Sequence, residues 1–196
     1  MSAYMREEEV ISLNRMTSAQ EQLFTVEDIE ALPEDERVEL IDGRIYYMAA
    51  PSRTHQRLLI FLTVEIESYI RNHKGKCQVY IAPFALYLNE DNSTYLEPDL
   101  MVVCDRDKTD EKGCHGAPDL VMEIVSPSTR SRDYLLKLNK YQHGGVREYW
   151  ILDTERDVIQ VYDLGRNQVE SYGFGDKIKV GIFPDLSITV PPVLGD

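Results

Sequence analysis

No apolar run in this chain of 196 residues approaches the roughly 20 needed to cross a bilayer, so no membrane partner is expected and the chain reads as soluble. Cationic side chains are also scarce: 21 Lys and Arg stand against 34 Asp and Glu, a formal net charge of −13. A field of that sign repels nucleic acid and anionic lipid at long range, so any polyanion has to be met by a local basic patch. Cysteine occurs three times, as Cys77, Cys104 and Cys114. That odd number lacks metal-ligand spacing, and no apolar leader-type segment precedes it, so a reducing cytoplasm is the expected setting. Low-complexity stretches, internal repeats and linkers are missing too, which leaves one compact unit as the expectation for residues 23–196, behind a polar, acidic and variable arm at residues 1–22.

What is there has clear punctuation. Thr25 and Asp28 form a capping box that opens a short helix, Val26 to Leu32, closed by Pro33. Arg37 to Ile41 and Arg44 to Met48 flank Asp42-Gly43, a strong hairpin signal. Ser52 caps a longer helix to about His73, with Leu58, Leu59, Leu62, Ile66, Tyr69 and Ile70 at helical spacing. Strands are expected at Gln78 to Leu88, Tyr95 to Cys104 and Leu120 to Ser126, with a polar loop over 105–117. A second helix runs Ser128 to Tyr141, capped at Ser128 or Ser131 and stopped by Gly144-Gly145. Tyr149 to Leu152, Val158 to Leu164, Val169 to Phe174 and Ile178 to Val190 read as strands. That order predicts an α/β (α+β) fold, a mixed central sheet flanked by helices.

Carboxylates inside the apolar strands carry the functional signal. A charge in an apolar core costs several kcal/mol unless it is paired, protonated or bound to a cation, so Asp99 and Glu123 need partners. Asp119 and Glu123 lie four residues apart on one strand, about 13 Å at roughly 3.3 Å per residue, too far to share one ion. Asp99, on the preceding strand, can face Glu123 across a spacing of about 5 Å if the two strands pair. Two hard oxygen ligands with open positions for water suit Mg²⁺ or Mn²⁺. In the following helix, Asp133, Lys137, Lys140 and Tyr141 share a face, which brings a lysine within reach of that site. The stretch from Arg130 through Arg132 to Lys140 has four basic residues against Asp133, a candidate footprint for a phosphate backbone.

Glu97-Pro98-Asp99, then Pro118 through Thr129, then Asp133, Lys137, Tyr141 and Gly145-Val146-Arg147-Glu148-Tyr149-Trp150 closely resemble the Uma2 family of restriction-endonuclease-like proteins. The similarity extends upstream to Glu39-Leu40-Ile41-Asp42-Gly43 and His55, covering roughly residues 25–190. The resemblance implies a restriction-endonuclease-like PD-(D/E)xK core with extra β-hairpins and a metal-dependent endonuclease acting on DNA phosphodiester bonds. It makes Asp99 the motif aspartate and Glu123 the motif acid. Val125 stands where the superfamily lysine is usual, so the resemblance assigns that role to Lys137, with Lys140 the weaker choice. Glu39 matches an additional acid beside the metal, and His55 and Tyr141 are auxiliary candidates. Nucleases of this kind often dimerise, which makes a homodimer an expectation with no residue-level support.

Each residue also has a plainer reading. Glu123 and Lys137 can be a buried structural ion pair, Asp99 a turn residue that satisfies backbone N–H groups, and Glu39 a solvated hairpin position. Asp119 reads as a strand-start residue, His55 as a capping or packing histidine, Tyr141 and Trp150 as core, and the basic helix face as ordinary surface. The alternative function is therefore a catalytically inactive module that keeps the fold for binding or assembly. A phosphoesterase for small or RNA substrates is a third.

Overall fold

A computed structural model describes residues 22–33, 36–88 and 92–192; the expected arm lies outside them except for its last residue. The capping box forms as expected, with Thr25 bonding the Asp28 amide and Asp28 bonding back, and it starts α1, Val26–Glu30. β1, Val38–Ile41, and β2, Arg44–Tyr47, pair antiparallel around Asp42 and Gly43. Both turn residues have positive φ, 52° and 75°, the conformation that an Asp-Gly pair tolerates best. Ser52 Oγ accepts the His55 amide and caps α2, Arg53–Asn72, which buries Leu58, Leu59, Leu62, Ile66 and Ile70.

The central sheet has six strands in the order β10-β9-β8-β7-β5-β3. These are β3, Gln78–Ile81; β5, Leu100–Val103; β7, Leu120–Val125; β8, Glu148–Asp153; β9, Val158–Asp163; and β10, Gln168–Tyr172. β7 and β8 run parallel and every other neighbouring pair is antiparallel, so the sheet is mixed. A parallel pair needs a crossover. Here it is a π-helical stretch, Arg132–Lys137, continuing into α3, Leu138–Gly144, which ends at Gly145 with φ 89°. Every residue of β5, β7 and β8 is buried, because each sheet face packs on its own core. α2 and the small sheet of β11, Lys177–Lys179, and β12, Ser187–Thr189, cover Leu100, Met122, Ile124 and Trp150. Tyr141 of α3 covers the opposite face, with Val121, Val125, Tyr149 and Ile151.

Four expectations need correction. The single strand Gln78 to Leu88 is interrupted at Pro83, and its second part, β4, Ala85–Tyr87, leaves the sheet to pair in parallel with β6, Gly113–His115. The strand expected over Tyr95 to Cys104 is regular only from Leu100; Tyr95 and Leu96 bridge instead to Leu40 and Leu86. The helix expected from Ser128 begins as a turn, then widens, and Ser131 makes no side-chain cap. The cysteines do not all remain thiols: β3 and β5 set Gln78 opposite Val103, and Cys77 and Cys104, one step further out, form a disulfide. Cys114 is free and buried, and burial pushes its thiol pKa up to about 11. Among the described residues no helix is long and apolar enough to cross a membrane.

Candidate functional site

Strand register assembles the site. β5 and β7 place Leu100 opposite Met122, so one step further out Asp99 comes opposite Glu123. The Ile124 amide donates to Asp99 Oδ2 at 2.7 Å, which fixes the aspartate against the strand that carries the glutamate. Asp119 stands elsewhere, its carboxylate accepting the Cys104 amide at 2.8 Å and Arg147 Nη1 at 3.0 Å. It is a strand-start residue, in agreement with the plainer reading.

The first turn of α2 delivers His55. Its backbone N–H is fixed by Ser52, and ring Nε2 lies 3.0 Å from Asp99 Oδ1. Ring Nδ1 is buried and has no hydrogen-bond partner. His55 is therefore a contact of Asp99 rather than only a packing residue.

The crossover delivers Lys137. Its side chain is 2% exposed, and Nζ lies 2.7 Å from Glu123 Oε1, 2.7 Å from Glu39 Oε1 and 3.5 Å from Asp133 Oδ1. Tyr141, one turn on, donates its hydroxyl to the same Glu123 oxygen at 2.9 Å and stacks edge-on against Tyr149. Inward Asp133, Lys137 and Tyr141 leave Leu135 and Leu136 to solvent at 67% and 38% exposure. Asp133 is the member that sequence reasoning passed over as a site residue, although its spacing of four from Lys137 was visible. Glu39, on β1, is fully buried: Oε1 also accepts the Glu97 amide at 3.2 Å, and Oε2 faces Arg132 Nε at 3.5 Å. It is not a solvated hairpin position.

Two other basic candidates are engaged away from this group. Arg130 forms a bidentate pair with Asp153, at 2.7 and 2.9 Å, and reaches Glu155 at 3.0 Å. Lys140 pairs with Asp42 in the hairpin turn. Arg132 alone of the three lines the cleft, about 480 Å³ in volume, together with His55, Asp99, Glu123, Asp133 and Lys137.

With this geometry in place, comparison with known proteins is informative. A family model, Uma2, described as "Putative restriction endonuclease", matches residues 26–191. The chain belongs to the Uma2 family. An uncharacterized protein of Synechocystis sp. (strain ATCC 27184 / PCC 6803 / Kazusa) is 26% identical over 151 residues, 74% of this chain and 77% of that one. A crystal structure titled as a putative nuclease belonging to DUF820, from Anabaena variabilis ATCC 29413, superposes with a TM-score of 0.72 at 19% identity. That match covers 87% of this chain and 97% of the other, and it shows that the two share a fold.

In this Uma2 protein the site has more carboxyl groups than cations. Glu39, Asp99, Glu123 and Asp133 are set against Lys137 and Arg132. Burial, opposed by Lys137 and reinforced by Asp99, Asp133 and Glu39, holds the Glu123 carboxyl well above its ordinary range. Burial raises Asp133 as well. For Lys137, burial acts to lower the pKa, but Glu123, Glu39 and Asp133 together outweigh it and push it up. The ammonium therefore stays charged. Glu39 Oε2 and Asp133 Oδ1 are buried without hydrogen-bond partners.

Such a donor set fits a hard divalent cation: carboxyl oxygens in surplus over cations, with Asp99 and Glu123 adjacent at the cleft. Among the described residues, three acids, imidazoles or thiolates do not converge as a ready-made metal cage. Two protein ligands with water in the other positions is the arrangement these residues allow. Glu39 is oriented toward Lys137 and Arg132.

Proposed function

We propose that this Uma2 protein is a Mg²⁺- or Mn²⁺-dependent endonuclease that hydrolyses phosphodiester bonds in DNA, with Asp99 and Glu123 as the residues that hold the metal. The observation that carries this reading is the placement of Asp99 opposite Glu123 in a cleft that Lys137 and Arg132 also line. The family description supports DNA as the substrate.

When bound, the cation supplies Lewis-acid polarisation of a phosphoryl oxygen. The chain's own residues do the rest. Lys137 and Tyr141 both bond Glu123 Oε1, which fixes the carboxylate plane and leaves Oε2 without a donor among the described residues. His55 and the Ile124 amide fix Asp99 through one oxygen each, Oδ1 and Oδ2. Lys137, charged and saturated by acids, acts as an orienting cation and offsets charge developing on the phosphate; it does not accept a proton.

The test is metal titration by calorimetry together with plasmid cleavage, using wild type, Asp99→Asn and Glu123→Gln. Binding and cleavage should both be lost in the two variants. Cleavage that survives in both would remove the metal-site reading. The saturation of Lys137 by buried acids favours a second reading, a binding module in which this cluster only holds the crossover to the sheet. Folded wild type that binds metal and DNA but cuts no polymer would select it.

A further inference from the structure

We infer that Arg132 is the residue that grips the substrate's phosphate backbone, through the two terminal nitrogens of its guanidinium. This rests on the phosphodiesterase reading above and names the contact by which a strongly acidic chain holds a polyanion.

Of the basic side chains that line the cleft, most already have partners. Arg37 donates to Glu97 Oε2 from Nε at 3.1 Å and from Nη2 at 2.7 Å. Lys137 is saturated by Glu123 and Glu39, and His55 faces Asp99. Arg132 differs. Its carboxylate neighbours are both on the Nε side, Glu39 Oε2 at 3.5 Å and Asp133 Oδ1 at 4.0 Å, and Nε makes no hydrogen bond. Among the described residues, its terminal nitrogens have no partner at all. The Tyr46 ring lies 5.5 Å from Cζ and supports one face of the guanidinium. The side chain is only 11% exposed, so the fork is held in place rather than waving in solvent.

Nε alone is buried without a hydrogen-bond partner, which costs free energy, and the guanidinium lines the cleft where an acceptor would arrive. A planar fork fits two oxygens of one phosphate, a geometry lysine cannot reproduce. Glu39 sets the orientation, since it bridges Arg132 and Lys137 and so links the gripping residue to the metal-side cluster. The three basic candidates of this segment thus reduce to one, because Arg130 and Lys140 have carboxylate partners of their own.

The experiment is fluorescence anisotropy of a labelled DNA duplex in Ca²⁺ buffer, repeated between about 50 and 200 mM NaCl, for wild type, Arg132→Gln, Arg132→Lys and Lys140→Gln. Each phosphate contact contributes about 0.9 to the slope of log affinity against log salt. Arg132→Gln should lower the slope by about that amount, equally for unrelated duplex sequences. Arg132→Lys should keep the slope and bind more weakly at every salt concentration, since charge survives and the fork does not. Lys140→Gln should match wild type. A wild-type slope in Arg132→Gln, full affinity in Arg132→Lys, or a wild type that binds no duplex at any salt overturns the inference. Binding is read without turnover, so cleavage by Asp99→Asn and Glu123→Gln would sink the catalytic assignment and leave this one standing.

Discussion

Replacing Lys137 with methionine keeps most of the aliphatic stem and removes the ammonium that two fully or nearly fully buried glutamates share. Glu39 is 0% exposed and Glu123 4%, and each places an oxygen 2.7 Å from Nζ, with Asp133 at 3.5 Å. Breaking a buried pair by removing one partner costs about 3–5 kcal/mol, because the other charge is left uncompensated. For a chain of this size, 1 kcal/mol is about 2–4 °C in Tm, so a fall of roughly 6–20 °C is expected at neutral pH. The pH dependence gives a second check. In wild type the folded Glu123 already binds its proton more tightly than an unfolded glutamate, and loss of Lys137 strengthens that preference. Between the unfolded pKa, near 4.3, and the raised folded value, the folded state holds the extra proton, so stability falls as pH rises through that window. The Lys137→Met deficit should therefore shrink as pH is lowered toward about 4.3. Glu123→Gln/Lys137→Met should recover part of the loss through coupling of the pair. Thermal unfolding by circular dichroism at several pH values measures all of this. A Lys137→Met protein with wild-type Tm, or with a deficit that grows on acidification, would show that the cluster is solvated rather than buried.

Four further outcomes are expected. Tyr141→Phe removes a buried hydrogen bond to Glu123 Oε1 and should cost about 1.5–3 kcal/mol in urea unfolding; no change would mean the hydroxyl has another partner. Metal affinity should weaken as pH falls, because the raised Glu123 carboxyl must release its proton for the metal; calorimetry in buffers of different ionisation enthalpy should show proton release. Reduction of Cys77–Cys104, which closes a separation of 27 residues, should lower stability by about 2–4 kcal/mol, and an unfolding curve unchanged by dithiothreitol would argue that the bond is not formed in solution. Gly144→Ala should destabilise, since its Cβ would lie 2.6 Å from Leu88 Cγ; a neutral effect would mean that Leu88 moves aside freely.

Much of this arrangement was legible in the sequence where local chemistry decides. Asp42-Gly43, Ser52 and the Thr25/Asp28 box each specify a turn or cap by themselves, and each formed. The pairing of Asp99 with Glu123 followed from strand spacing, because a register can be argued from two apolar runs and one loop. What stayed hidden depends on contacts between distant segments. Arg130 and Lys140 look like free cations in the sequence, yet their partners Asp153 and Asp42 lie 23 and 98 positions away. The Cys77–Cys104 bond follows from the β3–β5 register, which the interrupted run at Pro83 obscured. The wide turn at Arg132–Lys137 leaves the apolar pattern nearly unchanged, so periodicity could not separate it from an ordinary helix.

Because β7 and β8 are parallel, the segment between them has to travel the length of the sheet, and that return path carries the lysine. Glu123 is thus supplied by a central strand and its counter-ion by a helical return, two parts with different resistance to opening. If the return lifts while the ladder stays intact, the acids lose their cation and the cleft loses one wall, with little change in strand content. Inactivation on warming should then precede sheet melting, and amides of residues 132–144 should exchange with solvent sooner than those of 120–125. Chain connectivity in this protein makes the buried acid–lysine cluster a reporter of how firmly one crossover is docked.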